Sequence, residues 1–256
     1  MHELRVIRFL TAAVLLFRVV GVQAQVGAAT PPGWTSAFPK LFGETKSFSS
    51  RADMRVLDKA GKESVSMAMG FAMLDGQIRM EIDIAQIKSS QMPPDAVAGM
   101  KQIGMDRTVA IITPQKKSMT IIYPVLQAYL EMPLPDQTTI PENEIKLEKT
   151  KLGTETIDGH PCVKYKVVIS DSKGQRNEGI VWSATDLKEF PIQMQMQDRD
   201  SGGSMMTRFR DVKIARPDAK GFEASPGFKK YSDPMQLMQV ATQRSNAGAK
   251  PAPGTK

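Results

Sequence analysis

Residues 63–84 read E-S-V-S-M-A-M-G-F-A-M-L-D-G-Q-I-R-M-E-I-D-I. Val65, Met67, Met69, Phe71 and Met73 recur at every second position and share one face of a strand, with Ser64, Ser66, Ala68, Gly70 and Ala72 on the other. Asp75-Gly76 follows, a dipeptide suited to the positive φ that both central residues of a type I′ hairpin turn require. A two-residue loop there pairs Met73 with Ile78, Phe71 with Met80, Met69 with Ile82 and Met67 with Ile84, an apolar set throughout. The opposite face pairs Ala72 with Arg79, Gly70 with Glu81 and Ala68 with Asp83. A slip of one residue would turn Arg79, Glu81 and Asp83 into the core, so the register is specified by the pattern itself. The stretch decides for a β protein.

The same period continues outward. Phe48–Leu57 precedes the hairpin and joins it through a turn near Lys59-Ala60-Gly61. Residues 106–113 and 118–123 flank Pro114-Gln-Lys-Lys and are apolar on both faces, as strands covered on two sides are. Ile145–Ile157 leads through Asp158-Gly159 into His160–Ser170, where Val163, Tyr165, Val167 and Ile169 alternate with Cys162, Lys164 and Lys166. Glu178–Ala184, Ile192–Gln197 and Met205–Ile214 bring the count to about nine or ten strands. In the last of these, Met205, Thr207 and Phe209 are in phase while Val212 and Ile214 are not, which predicts a β-bulge near Arg210-Asp211 that bends the strand. Helices are expected at Pro94–Met105 and Val125–Met132, and after Ser232-Asp233-Pro234, where a capping residue and a first-turn proline precede Met235, Leu237, Met238 and Ala241 at helical spacing.

The ends differ in composition. Residues 1–24 carry Arg5 and Arg8, an apolar run over Phe9–Phe17 and a small-residue step at Val22-Gln23-Ala24, the pattern of a cleaved export signal. Arg18 keeps that run short of the roughly 20 residues of a spanning helix. The expectation is an exported, soluble chain, periplasmic in a Gram-negative cell, and not an integral membrane protein. Residues 25–44 read as a linker with Trp34, Phe38, Leu41 and Phe42 available to dock, and the chain from about Ser245 onward as a disordered tail.

Removal of residues 1–24 takes away three Arg and one Glu, so the formal charge falls from +7 to +5. Lysine and arginine are scattered without a basic stripe, which excludes a nucleic-acid partner. The single cysteine, Cys162, excludes an internal disulfide and reads as a small buried residue.

T-E-T-I-D-G-H-P-C-V-K-Y (154–165), V-W-S-A-T-D-L-K-E-F-P-I-Q-M (181–194), R-F-R-D-V-K-I (208–214), F-E-A-S-P-G-F (222–228) and the earlier K-K-S-M-T-I-I-Y-P (116–124) occur in an order that resembles a family of exported bacterial proteins described as a domain of unknown function. That family looks like a branch of the LolA/LolB-like, outer-membrane lipoprotein-sorting-like superfamily, and the resemblance covers roughly residues 45–231. It implies a mainly β fold: a curved antiparallel half-barrel of about 9–11 strands with a few short helices over the concave side. It also implies a boundary after residue 231, leaving 232–256 as a short helix and tail. In the superfamily's lipoprotein carriers, the space between sheet and helices takes acyl chains. No functional residue is carried over, because no position matches a known ligand contact.

Three chemistries are then weighed. Met-x-Met occurs at Met67/Met69 and Met194/Met196, and thioether sulfur suits Cu(I). These methionines nevertheless fall where alternation already demands an apolar residue. His160 and Cys162 are two ligands where zinc wants at least three. Asp198 and Asp200 stand beside Gly202-Gly203 as turn residues, and no nucleophile elbow, metalloprotease helix or phosphate loop occurs. The expectation is a non-enzymatic binding protein without a cofactor. Its ligand would be a lipid, an acylated polypeptide or another apolar molecule, held on a Met-rich face made of Met67, Met69, Phe71, Met73, Ile78, Met80, Ile82, Ile192, Met194 and Met196. The alternatives are a Cu(I)-binding periplasmic protein and an envelope-assembly scaffold with protein partners only.

Overall fold

The hairpin forms in the register its spacing predicts. β2 (Glu63–Leu74) and β3 (Gln77–Asp83) pair Met73 with Ile78, Phe71 with Met80 and Met69 with Ile82, and Asp75 and Gly76 both take positive φ, 49° and 85°. The two outermost expected pairs, Met67–Ile84 and Ala68–Asp83, do not form. The Asp83 carboxylate accepts the Ala85 N–H and caps a 3₁₀ turn that takes Ile84 out of the strand, and β4 (Lys88–Ser89) pairs with Ser66 and Val65 instead. The computed structural model describes residues 39–89, 92–134, 144–172, 174, 176–197 and 202–248. The expected signal segment, Trp34, Phe38, Asp198, Asp200 and the final residues lie outside that set.

The remaining strands are β1 (Ser47–Leu57), β5 (Arg107–Thr113), β6 (Ser118–Tyr123), β7 (Ala128–Pro133), β8 (Lys146–Ile157), β9 (His160–Ser170), β10 (Arg176–Ala184), β11 (Phe190–Gln197), β12 (Ser204–Lys213) and β13 (Lys229–Tyr231), with helices α1 (Pro94–Gln102) and α2 (Pro234–Gly248). All 13 strands belong to one sheet in the order β13-β7-β6-β5-β3-β2-β1-β12-β11-β10-β9-β8, with β4 beside β2. β13 lies parallel to β7 and every other pair is antiparallel. β8 and β13 end the order without pairing to each other, so the sheet is an open, curved half-barrel. The expected bulge is present: Ser49 faces Lys213 and Arg51 faces Arg210, which leaves one extra residue in β12, and Asp211 takes φ 53°.

The structure corrects the sequence reading in four places. Among the described residues the sheet has 13 strands where 9–11 are expected, because β4 and β13 are too short to show a period and the composition of β7 favours a helix. Val125–Met132 is rich in helix formers, but the chain makes a 3₁₀ turn at Pro124–Leu126, breaks at Gln127 (φ 49°), and runs as β7 against β6. A non-glycine residue in the left-handed region leaves no signal in composition. α2 continues past Ser245 to Gly248, and Met235 is 46% exposed, since the buried face of α2 is Leu237 and Ala241 with Val240 half-buried.

The two halves of the sheet are covered differently. Over β7, β6, β5 and β3, α1, α2 and Tyr231 bury Tyr123, Ala128 and Leu130 on the concave side. The chain leaving β12 crosses the convex side of that same half, where Phe222, with Ala224 and Phe228, covers Ala72, Leu74, Ile111 and Ile122. Arg79 fastens this strap by donating to the Gly221 carbonyl at 2.7 Å, and Arg216 pairs with Asp75 at 2.9 Å. This is why β5 and β6 read as apolar on both faces. Over β1, β12, β11, β10 and β9 the convex side carries polar pairs, Arg210–Asp53 at 2.7 Å, Arg208 Nε to Gln193 at 2.7 Å and Lys166–Glu178 at 2.9 Å, with Trp182 and Cys162 buried at its β9–β10 end.

Candidate functional site: an apolar lane across the concave face

On the concave side, Leu41 and Phe42 are buried where the start of β1 pairs with the end of β2. Phe42, Phe48, Phe71, Phe190 and Phe209 form one aromatic cluster with neighbouring centroids 4.8–6.1 Å apart in stacked and edge-on arrangements. Among these, Phe42, Phe48, Phe190 and Phe209 are almost wholly buried. Of the ten candidate face residues, Met67, Met69, Phe71, Met73, Ile78, Ile192, Met194 and Met196 are buried in the same cluster, while Met80 and Ile82 are half-buried against it.

Beyond the phenylalanines, the pairing register lays out two unbroken cross-strand rows. One runs Lys151, Tyr165, Val181, Met194, Thr207, Met54, Met67; the other runs Lys149, Val167, Gly179, Met196, Met205, Val56, Val65. They cross β8, β9, β10, β11, β12, β1 and β2, so six interstrand spacings of about 4.8 Å make the lane roughly 29 Å long. Its floor, Val167, Val181, Met194, Met196 and Met67, is buried, whereas Tyr165, Thr207, Met54, Val56, Val65 and Met205 are only half-buried. Five methionines lie in it. Met54 faces Met67 and Met196 faces Met205 directly across neighbouring strands. A Cβ at Gly179 would fall on the Met196 sulfur and 2.5 Å from the Gln195 carbonyl oxygen, so Met196 folds over the glycine, towards β10 and away from Met205.

The candidate face drawn from the sequence includes Met67, Met194 and Met196 of this lane; Val65, Tyr165, Val167, Met205 and Thr207 stand there only as members of alternating strands. Met54 and Val56 did carry the period-two signal of β1, but nothing in one sequence says that β1 pairs with β12.

His160 and Cys162 each engage a partner within the fold. His160 Nδ1 contacts Asp186 Oδ2 at 2.7 Å, and the Cys162 thiol donates to the His160 carbonyl at 3.3 Å. Burial pushes the Cys162 thiol above its ordinary pKa, which opposes thiolate formation. Among the described residues, no group of three His, Cys, Asp or Glu side chains is placed to hold a metal. A cavity of about 300 Å³ opens beside Cys162 and Thr185 at the β8–β9 hairpin end, and none of the ten candidate residues lines it. Among the described residues no helix is long and apolar enough to cross a membrane.

The chain is thus an open, mostly antiparallel half-barrel with an apolar concave face. The model of a family described as a domain of unknown function (DUF4412) matches residues 59–222, and the chain belongs to that family. No curated protein matches it. Among solved structures, it is similar to the lipoprotein LppX of Mycobacterium tuberculosis (10% identity, TM-score 0.40, covering 72% of this chain and 97% of that one). A LolA superfamily protein from Nitrosomonas europaea is similar at 11% identity, TM-score 0.37, with 75% and 97% covered. MucB of Pseudomonas aeruginosa, in its complex with MucA, is similar at 12% identity, TM-score 0.36, with 75% and 61% covered.

Proposed function

We propose that this is a non-enzymatic, exported binding protein that takes an acyl chain along the concave lane. The observation that carries the reading is the pair of unbroken rows, apolar or small from β9 to β2 except at Thr207, with half-buried side chains above a buried floor. A lane of about 29 Å compares with roughly 15 Å for one acyl chain, half the thickness of a bilayer's hydrocarbon core. Methionine suits such a lane because its unbranched, polarizable side chain repacks around apolar ligands of differing shape. The test is native mass spectrometry and lipid extraction of the purified protein, followed by titration with a fluorescent fatty-acid probe. Co-purifying lipid or saturable probe binding supports the reading. A chain that is repeatedly empty and fails to bind the probe refutes it and leaves the scaffold alternative.

A second reading, Cu(I) binding, is favoured by the directly opposed pairs Met54–Met67 and Met196–Met205. It requires Met196 to leave Gly179 and turn towards β12. Anaerobic loading with Cu(I) followed by metal analysis decides it, and a stoichiometry near zero rejects it.

A further inference from the structure

We propose that Lys149 and Lys151 form the head-group end of the lane and hold the anionic head group of the acyl lipid whose chain lies along it. The inference rests on the acyl-chain reading above and adds the ligand's charge and orientation. Its starting point is the bulge in β8. Lys151 faces Tyr165 and Gly153 faces Lys164, so Leu152 is an extra residue and the two faces exchange at that point. Before the bulge, Lys149 and Lys151 stand opposite Val167 and Tyr165, on the concave side. After it, Glu155 stands opposite Cys162, on the convex side, where Glu148 also points through its pairing with Val168. The bulge therefore sorts the charges of one edge strand: both acids go to the outer face, and the concave rim keeps lysines alone.

Glu155 is used where it points, accepting the Trp182 indole N–H at 2.8 Å and pairing with Lys164 at 3.5 Å. Lys149 and Lys151 have no hydrogen bond or ion pair with another side chain among the described residues. The Lys149 ammonium lies 5.9 Å from the centroid of the Tyr165 ring, the first aromatic of the lane, and burial lowers its pKa while the negative charge of Glu189 partly opposes that shift. An exposed cation poised over the first ring of an apolar track is the complement of an amphiphile with an anionic head. Lysines that only guard a sheet edge against aggregation need no sorting by face.

The experiment measures displacement of the uncharged dye Nile red from the full chain by oleate, by an oleoyl lysophosphatidate and by uncharged oleyl alcohol. It compares the native chain, Lys149→Gln/Lys151→Gln, and Lys146→Gln, which removes one positive charge from the convex side of the strand. The double variant is expected to bind the anions roughly 5- to 10-fold more weakly, the size of one charge-assisted hydrogen bond partly screened by water, and the alcohol unchanged. Lys146→Gln is expected to match the native chain. Whichever anion shows the larger loss identifies the head group as carboxylate or phosphate. Equal losses for alcohol and anions, no loss at all, or an equal loss in Lys146→Gln overturns the inference and leaves the acyl-chain reading standing. If none of the three ligands displaces the dye, both fall together.

Discussion

Two regions of the same concave face bury the same kinds of side chain to different depths. At the phenylalanine end, Phe42 closes over Phe48, Phe190 and Phe209. Along the lane, Met54, Val56, Val65 and Met205 stand half-buried on the same four-strand stretch of sheet. The difference lies in what covers them and not in hydropathy. One region is a packed core, where each lost methylene leaves a void. The other is a row of partly exposed side chains resting on that core.

That comparison can be broken by substitution. Phe209→Ala is expected to cost about 3–5 kcal/mol, seen as a fall in the urea midpoint with an unchanged slope. A loss of no more than about 1 kcal/mol would mean that the cluster is not the structural core. Gly179→Ala comes next, at about 1–3 kcal/mol, because the added methyl meets a backbone oxygen that cannot rotate away. Met205→Ala should cost only about 1 kcal/mol, since its side chain is only partly buried, while weakening a fatty-acid probe several-fold. Parity of Met205→Ala with Phe209→Ala in stability would erase the distinction between lane and core.

The smallest effect expected is electrostatic and lies on the convex face. The Trp182 N–H, with Lys164 nearby, holds the Glu155 carboxyl below its ordinary pKa. Since the folded pKa is depressed, this contribution is present above the usual carboxylate range and is lost as the pH falls through the folded value. Trp182→Phe is expected to move the Glu155 titration, followed by NMR, back upward. An unmoved titration would show that the indole contact is absent in solution.

How much of this was legible beforehand follows from the range of each interaction. The β2–β3 hairpin could be read residue by residue, because alternation and an Asp-Gly turn act within a few positions. The β12 bulge was legible for the same reason, from the phase jump between Phe209 and Val212. β7 was missed because its boundary is set by Gln127 in the left-handed region and by pairing with β6, which override the helical propensity of its residues. The strap was invisible: the Phe222–Phe228 segment has no period, and only the two-faced apolarity of β5 and β6 hinted at a second cover. The lane needed the order of the strands, since Lys151 and Met54 share a row only through β9, β10, β11 and β12. The face of Lys149 and Lys151 hangs on one bulge residue, Leu152.

The central claim, that an acyl chain lies along the rows from β8 to β2, is tested most directly by photolabelling the purified protein with a diazirine-bearing fatty acid and mapping the modified residues by mass spectrometry. With the head group at β8, roughly 15 Å of chain reaches β11, so labels are expected on peptides carrying Tyr165, Val181 and Met194, in proportion to the position of the diazirine along the chain. Labels confined to the convex strands, or to the Phe42 segment with the lane untouched, would contradict it.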